Sequence, residues 1–319
     1  MENILILGAA GFIGTNLTIA LAKEKSNHII LVDRCLDYFK PIMSFAFDNV
    51  ECREFDLVYD GNFKELLSGA DTVYHLVSTT VPSTSNQHIS QELMGNVIFS
   101  SNMLDACVQC GVKKVVFMSS GGTVYGKEMD CPLKEKTATN PISSYGIQKI
   151  TIEKLFYLYR YLYGLDYRVI RLANPYGPYQ RPNGILGAVT TFTYKAIKGE
   201  EITVYGDGSV VRDFIYIDDA VKAIMKIVNG ENKHHTFNVG CGYGTSIKKV
   251  LETIQEALQV ELRVTYKPGR KVDVPINYLD ISRYEKCYGA LNPISLSEGV
   301  LKTANFMQNE YLRNTPVEG

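Results

Sequence analysis

The stretch Gly8-Ala9-Ala10-Gly11-Phe12-Ile13-Gly14 constrains this chain more tightly than any other feature. It follows an apolar run at 4–7 (ILIL) and opens a segment of helical pattern over 12–25. Glycines at such a turn permit a tight reversal, let an anion approach the backbone, and let helix and strand pack closely. Further apolar runs recur at 29–32 (IILV), 72–77 (TVYHLV), 114–118 (KVVFM) and 167–172 (YRVIRL), with helical patterns between them at 92–110 and 145–163. Strands that are apolar on both faces and alternate with helices belong in a parallel sheet covered on both sides. The sequence therefore predicts an α/β fold, a doubly wound parallel sheet of the Rossmann type.

The regular alternation stops after 173. Residues 174–184 (NPYGPYQRPNG) are turn chemistry. Beyond them the pattern predicts a helix over 185–198, a strand over 202–205 and a Gly-Asp-Gly turn at 206–208. The run 210–228 reads as a strand feeding a helix, and 236–240 (TFNVG) as a strand returning to the main sheet. Residues 1–174 plus about 213–242 are expected to form a dinucleotide-binding domain. Residues 175–212 plus 243–319 would form a smaller α/β lobe.

Thirty-three basic residues face 34 acidic ones, with no run of five like charges, which argues against a nucleic-acid partner. No apolar stretch reaches the roughly 18 residues of a membrane helix. The first residues lack a basic segment and cleavage site of the signal type, so a cytoplasmic protein is expected. The seven cysteines (35, 52, 107, 110, 131, 241, 287) show no framework spacing. Cys107-x-x-Cys110 reads as two helix residues before Gly111, and the five histidines fit no ligand pattern, so no metal is expected.

Two further constellations carry chemistry. Asp33 stands 19 residues after Gly14 at the end of the second apolar run. A carboxylate there accepts bonds from adenosine ribose hydroxyls and repels a 2′-phosphate, so the cofactor is expected to be NAD rather than NADP. Tyr145 and Lys149 are four apart and share a helix face. A neighbouring cation lowers a phenol toward the range of a general base. Upstream, Ser119-Ser120-Gly121-Gly122-Thr123 closes the run KVVFM, at the strand end where such sheets place ligands.

GAAGFIG, Asp33, SSGGTVYG, YGIQK, RLANPYGP and VVRDFIYIDD, in this order, resemble the extended short-chain dehydrogenase/reductase family. Within it the resemblance is to the nucleoside-diphosphate-sugar 4-epimerases, over about residues 3–305. It implies a tightly held NAD regenerated in each cycle, with Tyr145 taking the sugar 4-hydroxyl proton while hydride leaves carbon 4. A transient 4-keto sugar then receives the hydride on its other face. The implied substrate is a UDP-hexose, glucose or galactose, with the N-acetylated forms as further candidates. A 4,6-dehydratase needs an Asp-Glu pair where this chain has Gly122 and Thr123, and a non-catalytic NAD-binding regulator would not need Tyr145 and Lys149.

By resemblance, Gly8, Gly11, Phe12, Ile13 and Gly14 would cradle the cofactor, with Asp56 and Leu57 near adenine. Leu76 and Ser78 would follow the fourth strand, where the bulkier Val77 departs from the family pattern. Asn96 would support Lys149 through water or backbone, a structural role. Asn174 would reach the sugar or diphosphate, Arg212 and Arg270 would bind the diphosphate, Tyr205 would stack on uracil, and Asp273 would bond the ribose. Many members carry a hydroxyl residue at Gly121; here Ser120 is the expected replacement and Thr123 the other candidate. Asn277 would line the pocket beside carbon 2, where a large aromatic excludes an N-acetyl group. A homodimer is expected as well. The helix over 150–163 is apolar almost all round, leaving Phe156, Leu158, Tyr159 and Leu162 as candidates for a face against a second subunit.

Overall fold

The computed structural model describes residues 2–56, 62–82, 85–127, 130–182, 187–269 and 274–312. The main sheet takes β1 (Glu2–Leu7), β2 (Asn27–Asp33), β3 (Val50–Glu54), β4 (Thr72–His75), β5 (Lys114–Ser120) and β6 (Asp166–Leu172). The helices of this half are α1 (Phe12–Leu21), α2 (Lys40–Met43), α3 (Phe63–Leu67), α4 (Ile89–Leu93), α5 (Phe99–Cys110) and α6 (Ser144–Tyr163). A π-helical stretch, Met94–Ile98, joins α4 to α5. The second half adds β7 (Asn174–Tyr176), α7 (Ala188–Lys198), β8 (Ile202–Tyr205), β9 (Val211–Arg212), β10 (Phe214–Tyr216), α8 (Ile217–Asn229) and β11 (Thr236–Val239). It closes with β12 (Thr245–Ser246), α9 (Ile247–Leu258), β13 (Val264–Lys267), β14 (Ile276–Asn277), α10 (Ser282–Tyr288) and α11 (Leu296–Met307).

Seven strands make one sheet in the order β11-β6-β5-β4-β1-β2-β3, every pairing parallel. The order reverses between β1 and β4, so the helices that follow them leave on opposite faces and open a crevice at the carboxyl ends. One apolar cluster packs under the sheet with α1 and α8, and another covers the opposite face with α3, α5 and α6. A third holds α7, α9 and Val300 of α11 around the small strands.

Three features differ from the sequence reading. β3 has no apolar run because it is the sheet edge and none of its residues is fully buried. Phe214–Tyr216 pairs with β7 rather than joining the main sheet, while β11 does return to it beside β6. Leu279, Ile281 and Tyr284, expected with the smaller lobe, pack into the core under the main sheet.

α6 explains itself locally. Ser143 caps it by accepting the Gly146 N–H at 3.2 Å, and Gly164, with φ +73°, ends it. Its inner face buries Ile152, Phe156 and Tyr159, each contributing roughly 1.5–3 kcal/mol if fully removed from water. Phe156 (1 % exposed) and Tyr159 (7 %) are thus core residues, not surplus face; Tyr159 also donates to Asp105 at 2.6 Å. The outward face is Tyr157, Leu158, Tyr161 and Leu162. Among the described residues no helix is long and apolar enough to cross a membrane.

Candidate active site

The crevice holds a cavity of about 580 Å³. Its floor is the glycine loop. Gly8 has φ +78°, and a Cβ there would crowd the Val77 nitrogen at 3.1 Å. Gly14 lies so close to Ala9 that any Cβ would run into the Ala9 carbonyl. Gly11 precedes α1 in extended conformation with no side-chain cap, so the first N–H groups of the helix face the cavity. Asp33, at the end of β2, accepts the Ala10 N–H at 3.1 Å and the Arg34 N–H at 2.9 Å. The loop, its carboxylate and the bare helix end fit a dinucleotide. All five loop residues expected to hold it, with Leu76 and Ser78, line the cavity.

Above the loop stand Ser120, Tyr145 and Lys149, all on the cavity wall. The Lys149 ammonium donates to the Met118 carbonyl at 2.8 Å and lies 4.8 Å from the Phe117 ring and 5.5 Å from the Tyr145 ring. Burial lowers its pKa to about 8, opposed by the Glu153 carboxylate one turn on. Burial raises Tyr145 to about 12, opposed by a hydrogen bond with Ser120. The sequence argument expected the neighbouring cation to bring the phenol down; in the protein alone desolvation outweighs it.

Ser120 shares the cavity wall with Tyr145. Thr123 Oγ1 is buried without a hydrogen-bond partner, and Thr123 is not on the cavity wall. Gly121 has a packing reason: a Cβ would meet Leu279 Cδ1 at 2.6 Å and the Arg171 carbonyl at 3.1 Å. A hydroxyl residue at that position would have to displace the Leu279 side chain.

The opposite wall carries Asn174, Tyr205 and Arg212. The amide of Asn174 donates to the Asp213 carbonyl at 2.9 Å, and Arg212 donates to the Val211 and Val274 carbonyls at 2.8 and 2.6 Å. Asp213 is fully buried and accepts the N–H groups of Cys241, Gly242 and Leu279; burial raises its pKa to about 6. Leu57, Arg270 and Asp273 lie outside the described residues. Asp56 follows β3 away from the cavity wall.

One expected placement changes. Asn277 is 1 % exposed and stands behind the wall, its amide 3.4 Å from the Gly122 carbonyl, because β14 pairs with β9 and puts Asn277 beside Arg212 in register. Asn96 bonds the amide of Gln148, the residue before Lys149, at 2.7 Å and accepts the Thr79 N–H at 2.9 Å, which braces α6 and the loop after β4. Cys107 is buried and its thiol is pushed up by desolvation, a core residue without thiolate character.

The comparisons with known proteins bear on the same site. A family model described as NAD dependent epimerase/dehydratase family matches residues 4–240. The chain belongs to this family. Its cofactor is NAD. The chain is 32% identical to the UDP-glucose 4-epimerase of Mycolicibacterium smegmatis, over 96% of this chain and 98% of that one. It is similar to the structure of a Thermotoga maritima UDP-glucose 4-epimerase with UDP-glucose, with a TM-score of 0.88, 31% identity and coverage of 97% and 99%. A Methanobrevibacter ruminantium UDP-N-acetylglucosamine 4-epimerase, with UDP-N-acetylmuramic acid bound, gives the same TM-score at 28% identity, covering 97% of this chain and 98% of that one. An epimerase of the extended short-chain dehydrogenase/reductase type, as the motifs implied, is what the family contains.

Sequence reasoning missed Ser119, Glu153 and Arg171. Glu153 repeats the spacing of four that links Tyr145 to Lys149, and that was the available signal.

Proposed function

We propose that this protein interconverts the carbon-4 epimers of a UDP-hexose, UDP-glucose and UDP-galactose, in the cytoplasm, where free thiols are the norm. The observation that carries the reading is the trio Ser120, Tyr145 and Lys149 over a dinucleotide loop, in a cleft whose charged wall residues are Lys149 and Arg212 among those described. Among the described wall residues no carboxylate stands to serve a dehydratase.

Bound NAD supplies the acceptor and donor of the hydride. Tyr145 removes the proton from the sugar 4-hydroxyl and returns it, and Ser120 keeps a hydrogen bond on the phenol oxygen as charge develops there. Lys149 holds a cofactor ribose hydroxyl and stabilises the tyrosinate. Asp33 bonds the adenosine ribose, with Asp56 and Leu57 toward adenine. Arg212 and Arg270 hold the diphosphate, since guanidinium pairs with phosphate through charge-assisted bonds. Tyr205 stacks on uracil, Asp273 bonds the uridine ribose, and Asn174 orients the sugar or diphosphate. N-acetylated hexoses form a second substrate class, in line with the similar UDP-N-acetylglucosamine 4-epimerase structure.

The working unit is a homodimer in this reading, supported by the exposed Tyr157, Tyr161 and Leu162 of α6 beside Met94 and Ile98. A monomeric mass by light scattering at micromolar concentration would contradict it. The catalytic reading is tested by incubating purified protein, with no cofactor added, against a panel of UDP- and dTDP-sugars. Epimerisation of a UDP-hexose supports it; bound NAD without turnover of any member overturns it.

A further inference from the structure

A charged pair is buried between the catalytic helix and the sheet. Glu153 and Arg171 are each less than one-tenth exposed, and Arg171 Nη2 donates to Glu153 Oε2 at 2.7 Å. Arg171 Nε bonds the same carboxylate at 3.1 Å, and Nη1 donates to the Tyr125 hydroxyl at 3.0 Å and the Glu135 carbonyl at 3.1 Å. Such a pair costs several kcal/mol per ion to desolvate, and apolar residues of similar volume often serve a core as well or better. The face of the sheet that α6 covers is otherwise apolar, with Phe117 of β5 and Val169 of β6 in one cluster with Ile152 and Phe156. Stability alone is a poor reason for the pair.

Its position gives a better one. Glu153 is one helical turn beyond Lys149, so the two side chains share a face of α6. Its Oε1 also accepts the Ser119 hydroxyl at 2.6 Å, and Ser119 precedes Ser120. Arg171 lies on β6, whose Leu172 carbonyl accepts the Gly121 N–H at 2.8 Å. One carboxylate thus ties together the helix bearing Tyr145 and Lys149, the strand end bearing Ser120, and the strand leading to Asn174.

We infer that Glu153, clamped by Arg171, is a positioning residue: it is the counter-charge of Lys149 and the anchor that sets Ser120 against Tyr145. The inference rests on the catalytic reading above. The groups facing Lys149 are Tyr145 and Glu153 on its own helix, the Met118 carbonyl and Phe117 ring from β5, and His75 from β4. Arg171 from β6 acts through Glu153. Burial, with help from Lys149, lowers His75 to about 3, so it is neutral. Glu153 is then the one anion among these described groups that opposes the loss of the Lys149 proton.

Three variants test this, with two readouts. The titration midpoint of Lys149 is read by trace acetylation across pH with peptide mass spectrometry, because only the free amine reacts; this requires no turnover. The pH profiles of kcat and KM are read alongside. Glu153→Gln removes the charge and keeps the shape; the midpoint and the alkaline limb of kcat should both move to lower pH, by about one unit for a lost opposite charge at close range. kcat at the optimum should fall about tenfold while KM stays within about twofold, the mark of a lost transition-state interaction. Glu153→Asp keeps the charge and should hold the midpoint. The double variant Glu153→Gln with Arg171→Gln guards against a fold burdened by an unpaired arginine. If the carboxylate serves only to balance Arg171, the double variant restores the wild-type midpoint and kcat, and the inference is overturned. A lowered midpoint in that double variant supports it. A wild-type protein that epimerises nothing would sink the catalytic reading but leave the acetylation result to stand by itself.

Discussion

On the sheet side of the cleft, Ser120 ends a seven-residue strand and Tyr145 and Lys149 ride a 20-residue helix, with the Glu153–Arg171 pair buried behind them. On the lobe side, Tyr205 ends a strand of four residues and Arg212 a strand of two, and Tyr205 is 41 % exposed. The difference is in how each wall is held. The sheet wall is fixed by side chains bonded to one another away from water, which suits groups that must meet a reacting atom within a fraction of an ångström. The lobe wall is held by short backbone pairings such as β9 with β14 and β12. Short strands and an exposed aromatic suit a surface that grips a nucleotide and releases it.

If this contrast is right, changes on the sheet wall should strike kcat and those on the lobe wall KM. Tyr145→Phe tests it hardest: turnover should fall about a thousandfold, within the range for a lost general base, with NAD still bound on denaturing extraction. Retained activity would remove Tyr145 from the chemistry. Ser120→Ala should lower kcat about a hundredfold and spare NAD retention, whereas Thr123→Ala should be milder; the reverse order would hand the hydroxyl role to Thr123. Gly121→Ser should lower stability by about 1–3 kcal/mol in a denaturant melt, because its side chain meets Leu279, and Leu279→Ala beside it should recover part of the loss. No recovery would mean that the backbone, not Leu279, demands glycine. The smallest effect belongs to the lobe: Tyr205→Ala should raise KM about tenfold with kcat unchanged, roughly the loss of one stacking contact. An equal fall in kcat would erase the distinction between the walls.

The same contrast explains what the sequence disclosed. The sheet wall was legible because its chemistry sits on regular elements. A glycine turn after an apolar strand and a pair four apart on a helix have fixed geometry wherever they occur. The Glu153–Arg171 pair was harder, since it joins a helix to a strand and only the fold brings them together. The lobe was least legible. In a strand of two residues, a shift of one turns a side chain from the cavity to the interior, and Asn277 is such a case. Phe156 and Tyr159 were assigned to the outer face of α6 because that helix is apolar on nearly all sides, and periodicity then no longer says which side is inward.

The central claim is that the sheet wall, with its own NAD, removes a hydride from carbon 4 and gives it back to the same carbon. UDP-galactose deuterated at carbon 4, incubated in ordinary water with purified protein and no added cofactor, tests this most directly. The account predicts UDP-glucose that still carries the deuterium at carbon 4. UDP-glucose with hydrogen there, or product formed only when a reduced cofactor is added, would contradict it.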